Sequence, residues 1–319
     1  MIFSSKTENL FKMKFNYSFV IPHHNTPRLL QRLIDSIPQR EDIEIIVVDD
    51  NSDEDKKANI TRSDIRTIYI DKEHTRGAGR ARNVGMDAAT GKWLLFADAD
   101  DFYKPNFIDI LDEYKDDDIE ILFFNIESVD SDTLKPMELR SRYLNKLIDD
   151  YEDSKISSDE FLYMSWSPWR KMQRLSFVRQ YGLRFEEIPK GNDVFFAFQT
   201  GYFVNKWKLD KRPVYVVSYF KYSLTYNPNN TTRYKTLLYS MRKRHQFFSF
   251  IGHPEWNKQS IKGKNTNSVF RFVGGNLWRN PLLGIKILIF YLENCVDIER
   301  RSNYYVDEIK RMEKEQLDK

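Results

Sequence analysis

Apolar and polar positions change period repeatedly along the first 125 residues. Tyr17–Ile21 and Ile43–Val48 are short continuous apolar runs, the second rich in β-branched residues, and each predicts a strand covered on both faces. Between them Leu29, Leu30, Leu33, Ile34 and Ile37 recur on one helical face, and Thr26-Pro27 ahead of them supplies an N-cap and a first-turn proline. Arg66–Ile70 predicts a third strand, Ala78–Ala89 a helix stopped by Gly91, and Lys92–Ala97 a further buried strand. Pro105 opens another helix, and Ile119–Phe124 closes the series as a strand. This alternation predicts an α/β, Rossmann-like architecture: a mainly parallel sheet flanked by helices. From 130 to 158 the chain is polar and poorly periodic, which predicts a long excursion over the surface. A helix over Leu175–Tyr181 ends at Gly182, another runs from Asp193 to Val204, and Val214–Val217 reads as a strand. Helices are predicted over 231–250 and 303–317, so the reading is a domain at 14–225 followed by a basic, mainly helical region at 226–319.

In an open α/β sheet the ligand crevice lies outside the carboxyl ends of the strands. Polar clusters stand at those ends: Pro22-His23-His24-Asn25, Asp49-Asp50-Asn51-Ser52 and Asp98-Ala99-Asp100-Asp101. Carboxylates crowded at a strand end repel one another unless a cation or hydrogen bonds compensate. Few, hard oxygen ligands suit Mg²⁺ or Mn²⁺ with the remaining positions filled by phosphate and water, so a metal-bridged pyrophosphate is one reading of 98–101. An acidic turn capping the next helix is the other. Asp50 is placed to accept hydrogen bonds from a base imide or a ribose, against the alternative of a simple Asx turn.

Taken in order, Ile21-Pro22-His23-His24-Asn25, Val47-Val48-Asp49-Asp50-Asn51-Ser52, Gly77–Gly85 and Phe96-Ala97-Asp98-Ala99-Asp100-Asp101 resemble the family 2 glycosyltransferases of GT-A fold. The similarity continues through Pro168-Trp169-Arg170-Lys171-Met172 and Gly182-Leu183-Arg184-Phe185 to Gly191-Asn192-Asp193, and covers about 16–225. The resemblance implies an inverting transferase that moves a sugar from a nucleotide-diphosphate donor, UDP by the family's habit, to a glycan or lipid-linked glycan. By position it implies Asp50 at the donor base, Pro22, His24 and Asn25 lining the nucleotide pocket, Arg82 beside the donor and Asp98 near the ribose. It further implies Asp100 as the direct ligand of Mn²⁺ or Mg²⁺ and Asp193 as the catalytic base. Asn192 departs from the family's usual Glu, which bears on acceptor positioning or on the tuning of the base, and His24 replaces a common Tyr. Without the family, Asp193 reads as an N-capping residue. Trp166 and Trp169 are candidates for stacking on acceptor sugars and equally for core packing.

Charge and cysteine content narrow the setting. Residues 1–200 carry 28 Lys and Arg against 37 Asp and Glu, whereas 201–319 carry 22 against 10. The single cysteine, Cys295, fits a reducing compartment. Met1–Lys14 has no signal-peptide pattern and no run reaches the roughly 20 apolar residues of a membrane span, which predicts a cytoplasmic or inner-face protein. Trp278–Tyr291, an apolar run with Arg279 and Lys286 and followed by Arg300-Arg301, fits either a helix lying in a membrane interface or one packed on the catalytic domain. His23, His74, His245 and His253 lack paired metal spacing, Gly77–Gly85 lacks the Gly-Lys-Ser/Thr of a phosphate loop, and no aromatic–basic nucleic-acid reader is present. The alternatives are a catalytically silent nucleotide-sugar-binding homologue and a HAD-like phosphatase. The latter calls for its nucleophilic Asp on an early strand, and Asp98 comes late.

Overall fold

The computed structural model describes residues 14–75, 77–138, 141–188, 191–219, 231–256, 260–261, 264–265, 281–282, 285–286, 288–289, 292 and 303–318. The chain divides into two compact units, Met1–Lys221 and Tyr222–Lys319. In chain order the first unit holds β1 (Tyr17–His23), α1 (Pro27–Ser36), β2 (Ile43–Asp50), β3 (Ile65–Ile70), α2 (Ala78–Ala88), β4 (Trp93–Phe96), β5 (Phe102–Tyr103) and α3 (Phe107–Tyr114). It continues with β6 (Ile121–Asp130), α4 (Ser141–Glu152), α5 (Ser158–Met164), β7 (Lys171–Arg174), α6 (Leu175–Gln180), α7 (Asn192–Phe203) and β8 (Trp207–Tyr219).

The eight strands form one sheet in the order β3-β2-β1-β4-β7-β6-β8-β5. β3, β2, β1 and β4 are parallel, so the tips of all four point to one rim. β7 runs antiparallel between β4 and β6, β8 is parallel to β6, and β5 is antiparallel to β8. The sheet is therefore mixed, with a parallel half that carries the polar clusters. One face buries Phe19, Ile21, Ile45, Val47, Leu95 and Met172 against α1 and α3 through Leu30, Leu33, Phe107 and Leu111. On the opposite face Val20 packs under α2, and Phe96 meets Phe185 and Phe196 edge-on.

Three sequence expectations change. The stretch 130–158 contains α4, whose Leu144 and Ile148 are buried, and it is no excursion over the surface. Two apolar residues among charged ones form too narrow a stripe to stand out. Thr26 does sit at the N-cap of α1, but its side chain makes no cap bond; its N–H donates to His23 Nε2 at 3.2 Å. Gly91 does not end α2, which stops at Ala88 with Ala89 extended. Its requirement is space, since a Cβ there would lie 2.6 Å from Ser18 Oγ on β1. Gly182, by contrast, has φ +62° just after α6, the left-handed backbone that glycine permits.

The second unit contains α8 (Thr231–Phe250), a short hairpin of β9 (Ser260–Ile261) and β10 (Lys264–Asn265), and α9 (Tyr304–Leu317). α8 packs on α9, burying Phe247, Tyr305, Ile309 and Met312, and the His253 ring stacks on Trp256 at 3.8 Å. Most of the Trp278–Tyr291 run lies outside the described residues. Those of 281–292 that are described are helical, and among the described residues no helix is long and apolar enough to cross a membrane.

Candidate active site

The parallel tips gather the site. At β1, Pro22 is buried in the strand opposite Val48 while His24 stands exposed at its end. His24 Nδ1 donates to the Asp50 carbonyl at 3.0 Å. Asn25 takes φ +57°, which Asn tolerates better than most residues, and locks onto the β2 loop. Its N–H donates to Ser52 Oγ at 2.9 Å, and its Oδ1 accepts from Asp53 N–H at 2.8 Å. The adjacent acidic pair on β2 divides its work. Asp49 is structural: it accepts from His23 Nδ1 at 2.9 Å and from Ser52 N–H at 2.8 Å. Because His23 Nε2 accepts a backbone N–H, its proton lies on Nδ1, facing that carboxylate. Asp50, 7% exposed, opens towards the loop before α2 and accepts from Thr75 Oγ1 at 2.7 Å and Gly77 N–H at 2.9 Å.

Beyond β4 the chain turns through 98–101 and brings three carboxylates together. Asp98, Asp100 and Asp101 offer oxygens that all lie within 4.8 Å of one another. Asp101 is buried and accepts from Ser218 N–H at 2.7 Å. Burial first, then the charges of Asp100 and Asp98, push its carboxyl well above the ordinary aspartate range. Asp98 and Asp100 are half-exposed at the rim. The loop is pinned by Arg32 of α1, which donates to the Asp100 carbonyl at 2.6 Å, Ser131 O at 3.0 Å and Ser218 Oγ at 2.8 Å. Tyr215 Oη accepts the Asp98 N–H at 2.9 Å. The donor set fits a hard divalent cation: oxygen ligands of one sign, crowded closely enough that a positive charge between them offsets their repulsion.

Facing this cluster, Arg82 of α2 reaches Asp98 Oδ1 with one nitrogen and Asn192 Oδ1 with another at 2.8 Å. Asn192 and Asp193 open α7 behind Gly191, whose φ is +72°. Asp193 is half-buried. Burial raises its carboxyl above the usual range, the Arg82 charge opposes that shift, Asp98 adds to it and Lys171 opposes it. The approach of α2 to this turn depends on Gly79, where a Cβ would lie 2.0 Å from Glu186 O and 3.0 Å from Asn192 Cβ.

Pro22, His24, Asn25, Asp50, Asp98 and Asp100 thus lie at or just beyond the strand tips, and Arg82 from within α2 and Asn192 and Asp193 from the start of α7 face Asp98. The tryptophans separate: Trp169 is 6% exposed and stacked on Tyr215 in the core, while Trp166 is half-buried with its Nε1 donating to Tyr163 O at 2.5 Å. Sequence reasoning missed Asp101 as the buried member of the cluster, Arg32 as its tether and Lys171. Lys171 is 2% exposed, and its ammonium is pushed down to about 7 by burial and by Arg170. No local pattern marked it, because β7 carries three polar residues in four.

Known proteins give the site its context. Residues 18–166 match the sequence model of glycosyl transferase family 2. The Bacillus subtilis protein EpsH is 25% identical over 208 residues, covering 62% of this chain and 59% of EpsH. A Campylobacter jejuni protein named GalNAc(5)-diNAcBac-PP-undecaprenol beta-1,3-glucosyltransferase is 27% identical over 197 residues, covering 60% of this chain and 59% of that protein. The chain therefore spans about three fifths of the length of these relatives. Among solved structures, S. aureus TarS 1–349 in complex with UDP-GlcNAc superposes with a TM-score of 0.53 at 17% identity, over 72% of this chain and 65% of that one.

Proposed function

We propose that the chain, whose residues 18–166 match glycosyl transferase family 2 and whose fold is the GT-A fold, transfers a sugar, with inversion, from a UDP-sugar to the hydroxyl of a glycan or lipid-linked glycan. The observation that carries the reading is the convergence on one rim of Asp50, the Asp98–Asp101 cluster, Arg82 and Asp193. Asp50, held by Thr75 and Gly77 with acceptor capacity to spare, receives the imide or ribose donors of the nucleotide, and Pro22, His24 and Asn25 wall the pocket. Asp100 would be the direct ligand of Mn²⁺ or Mg²⁺ in the acidic cluster, with Asp98 near the donor ribose. When bound, that ion neutralises the charge developing on the leaving diphosphate. The Arg82 guanidinium stands beside the same charge.

Asp193 supplies the base. The acceptor hydroxyl gives its proton to the carboxylate as its oxygen attacks the anomeric carbon from the face opposite the leaving group. One such displacement inverts the centre, giving a β-linked product from an α-linked donor. Its position at the N-terminus of α7 favours the ionised form, while burial holds the carboxyl above the ordinary range and makes it a better proton acceptor. Asn192 and Trp166 border the acceptor side. Support for a lipid-linked acceptor comes from the Campylobacter relative, whose name specifies an undecaprenol diphosphate substrate. An interface at the inner membrane face is consistent with Leu282, Ile285, Ile289 and Leu292, exposed at helical spacing in a region rich in Lys and Arg.

The test is thermal unfolding with UDP, with and without Mn²⁺, in the native protein and in Asp100→Ala and Asp193→Asn. Stabilisation by UDP that depends on Mn²⁺, is lost in Asp100→Ala and survives in Asp193→Asn, whose transfer rate falls at least about a hundredfold, is the expected pattern. Asp193→Asn transferring at the native rate would remove the base assignment.

A further inference from the structure

Arg82 is 5% exposed and divides its fork between two elements. Nη1 donates to Asn192 Oδ1 at 2.8 Å and Nη2 to Asp98 Oδ1, while the Phe185 ring lies 5.3 Å from the guanidinium carbon and Nε is buried without a partner. Asn192 is 8% exposed and doubly tied: its carbonyl accepts from Glu186 N–H at 3.2 Å, and its Nδ2 donates to Ile188 O at 3.4 Å. The amide therefore has one sensible orientation, because a flipped Nδ2 would set donor against donor at Arg82. Gly79 presses α2 onto this turn, so the three side chains have little freedom to exchange partners.

An amide and a carboxylate hold a guanidinium differently. The amide oxygen fixes the plane of the fork but brings no net charge; the bond to Asp98 is charge-assisted and about twice as strong as a neutral one. Among the described residues Asp98 is the carboxylate that accepts a hydrogen bond from Arg82, and it is also a member of the acidic cluster. We propose that Asn192 is a positioning residue whose neutral amide holds the Arg82 fork while leaving its charge committed to Asp98, coupling the base-bearing turn of α7 to the acidic cluster through Arg82. Its catalytic consequence rests on the transferase reading; the coupling itself is a property of the fold and is measurable without substrate or metal. A carboxylate at 192 would compete with Asp98 for the same guanidinium and add a negative charge beside Asp193.

The isosteric change Asn192→Asp separates charge from shape. In EDTA, the unfolding midpoint shift caused by Asn192→Asp is expected to be more favourable in an Asp98→Asn background than in the native one, by about 2 °C or more. The difference is expected to vanish when Arg82→Met is added. Equal shifts in both backgrounds, or a difference that survives Arg82→Met, would overturn the proposal. In turnover, Asn192→Asp is expected to lower kcat about tenfold with the donor KM within twofold, and Asn192→Gln, neutral and able to accept the same bond, to recover most of it. A merely structural Asn192 would predict Asp to be the milder change and Gln the harsher, and that order also overturns the proposal. If native protein shows no Mn²⁺-dependent stabilisation by UDP, the transferase reading fails while the EDTA cycle still decides the coupling.

Discussion

Gly79→Ala is the smallest change that should uncouple the two halves of the site. A Cβ at 79 would lie 2.0 Å from Glu186 O, and ordinary contact begins at 3.4 Å, so one side has to retreat by about 1.4 Å. The blocking atom is backbone, which no rotamer change can move aside. α2 and the turn before α7 must therefore separate, and a retreat of that size would carry the 2.8 Å bond from Arg82 to Asn192 beyond hydrogen-bonding distance. Overpacking of this kind costs about 1–3 kcal/mol, partly offset by up to about 1 kcal/mol from the better helix propensity of Ala. Displacing the base by about 1 Å relative to the donor costs on the order of a hundredfold in rate. α2 is anchored on β1 and β2, so the retreat falls on the turn before α7, and Asp50 with Gly77 and Asp98 with Arg82 should keep their geometry. Calorimetric UDP–Mn²⁺ affinity within about threefold of native, with donor turnover down about a hundredfold, is the expected result. Native turnover in a variant folded to the native midpoint would refute the close-approach argument.

Two pH effects follow from buried charges. With Asp193 as the proposed base, activity should fall as pH drops through its raised pKa; because the Arg82 charge opposes that rise, Arg82→Met should move the acid limb of the kcat/KM profile to higher pH, and an unmoved limb would contradict the assignment. Lys171, at about 7 when folded against an ordinary 10.5, binds fewer protons native than unfolded between those values. Its contribution therefore makes stability rise with pH across that window, and Lys171→Met should flatten the rise in thermal midpoint; equal slopes for both proteins would show that the ammonium is not desolvated.

The parallel half of the fold was legible because buried parallel strands announce themselves as unbroken apolar runs, as at Ile43–Val48. β7 was not, since Lys171-Met172-Gln173-Arg174 carries three polar residues and owes its place between β4 and β6 to tertiary pairing. α4 hid behind a two-residue stripe, Leu144 and Ile148, in a charged stretch. At the site, residue types and strand ends identified the rim, but four consecutive positions from Asp98 to Asp101 gave no sign of which carboxylate is buried. The direction of each side chain off the β4 turn decides that, and Ser218, 117 residues away, completes it. The Arg82–Asn192 bond likewise joins positions 110 apart that no local pattern links.

The central claim is that this rim takes a nucleoside diphosphate through a divalent cation, and a crystal structure with UDP and Mn²⁺, read by anomalous scattering at the manganese edge, tests it most directly. The account predicts a manganese peak within coordination distance of Asp100, diphosphate oxygens completing its shell, and the uracil imide against Asp50. Manganese elsewhere, or uracil bound away from the β1 and β2 tips with Asp50 still closed on Thr75 and Gly77 alone, would contradict it.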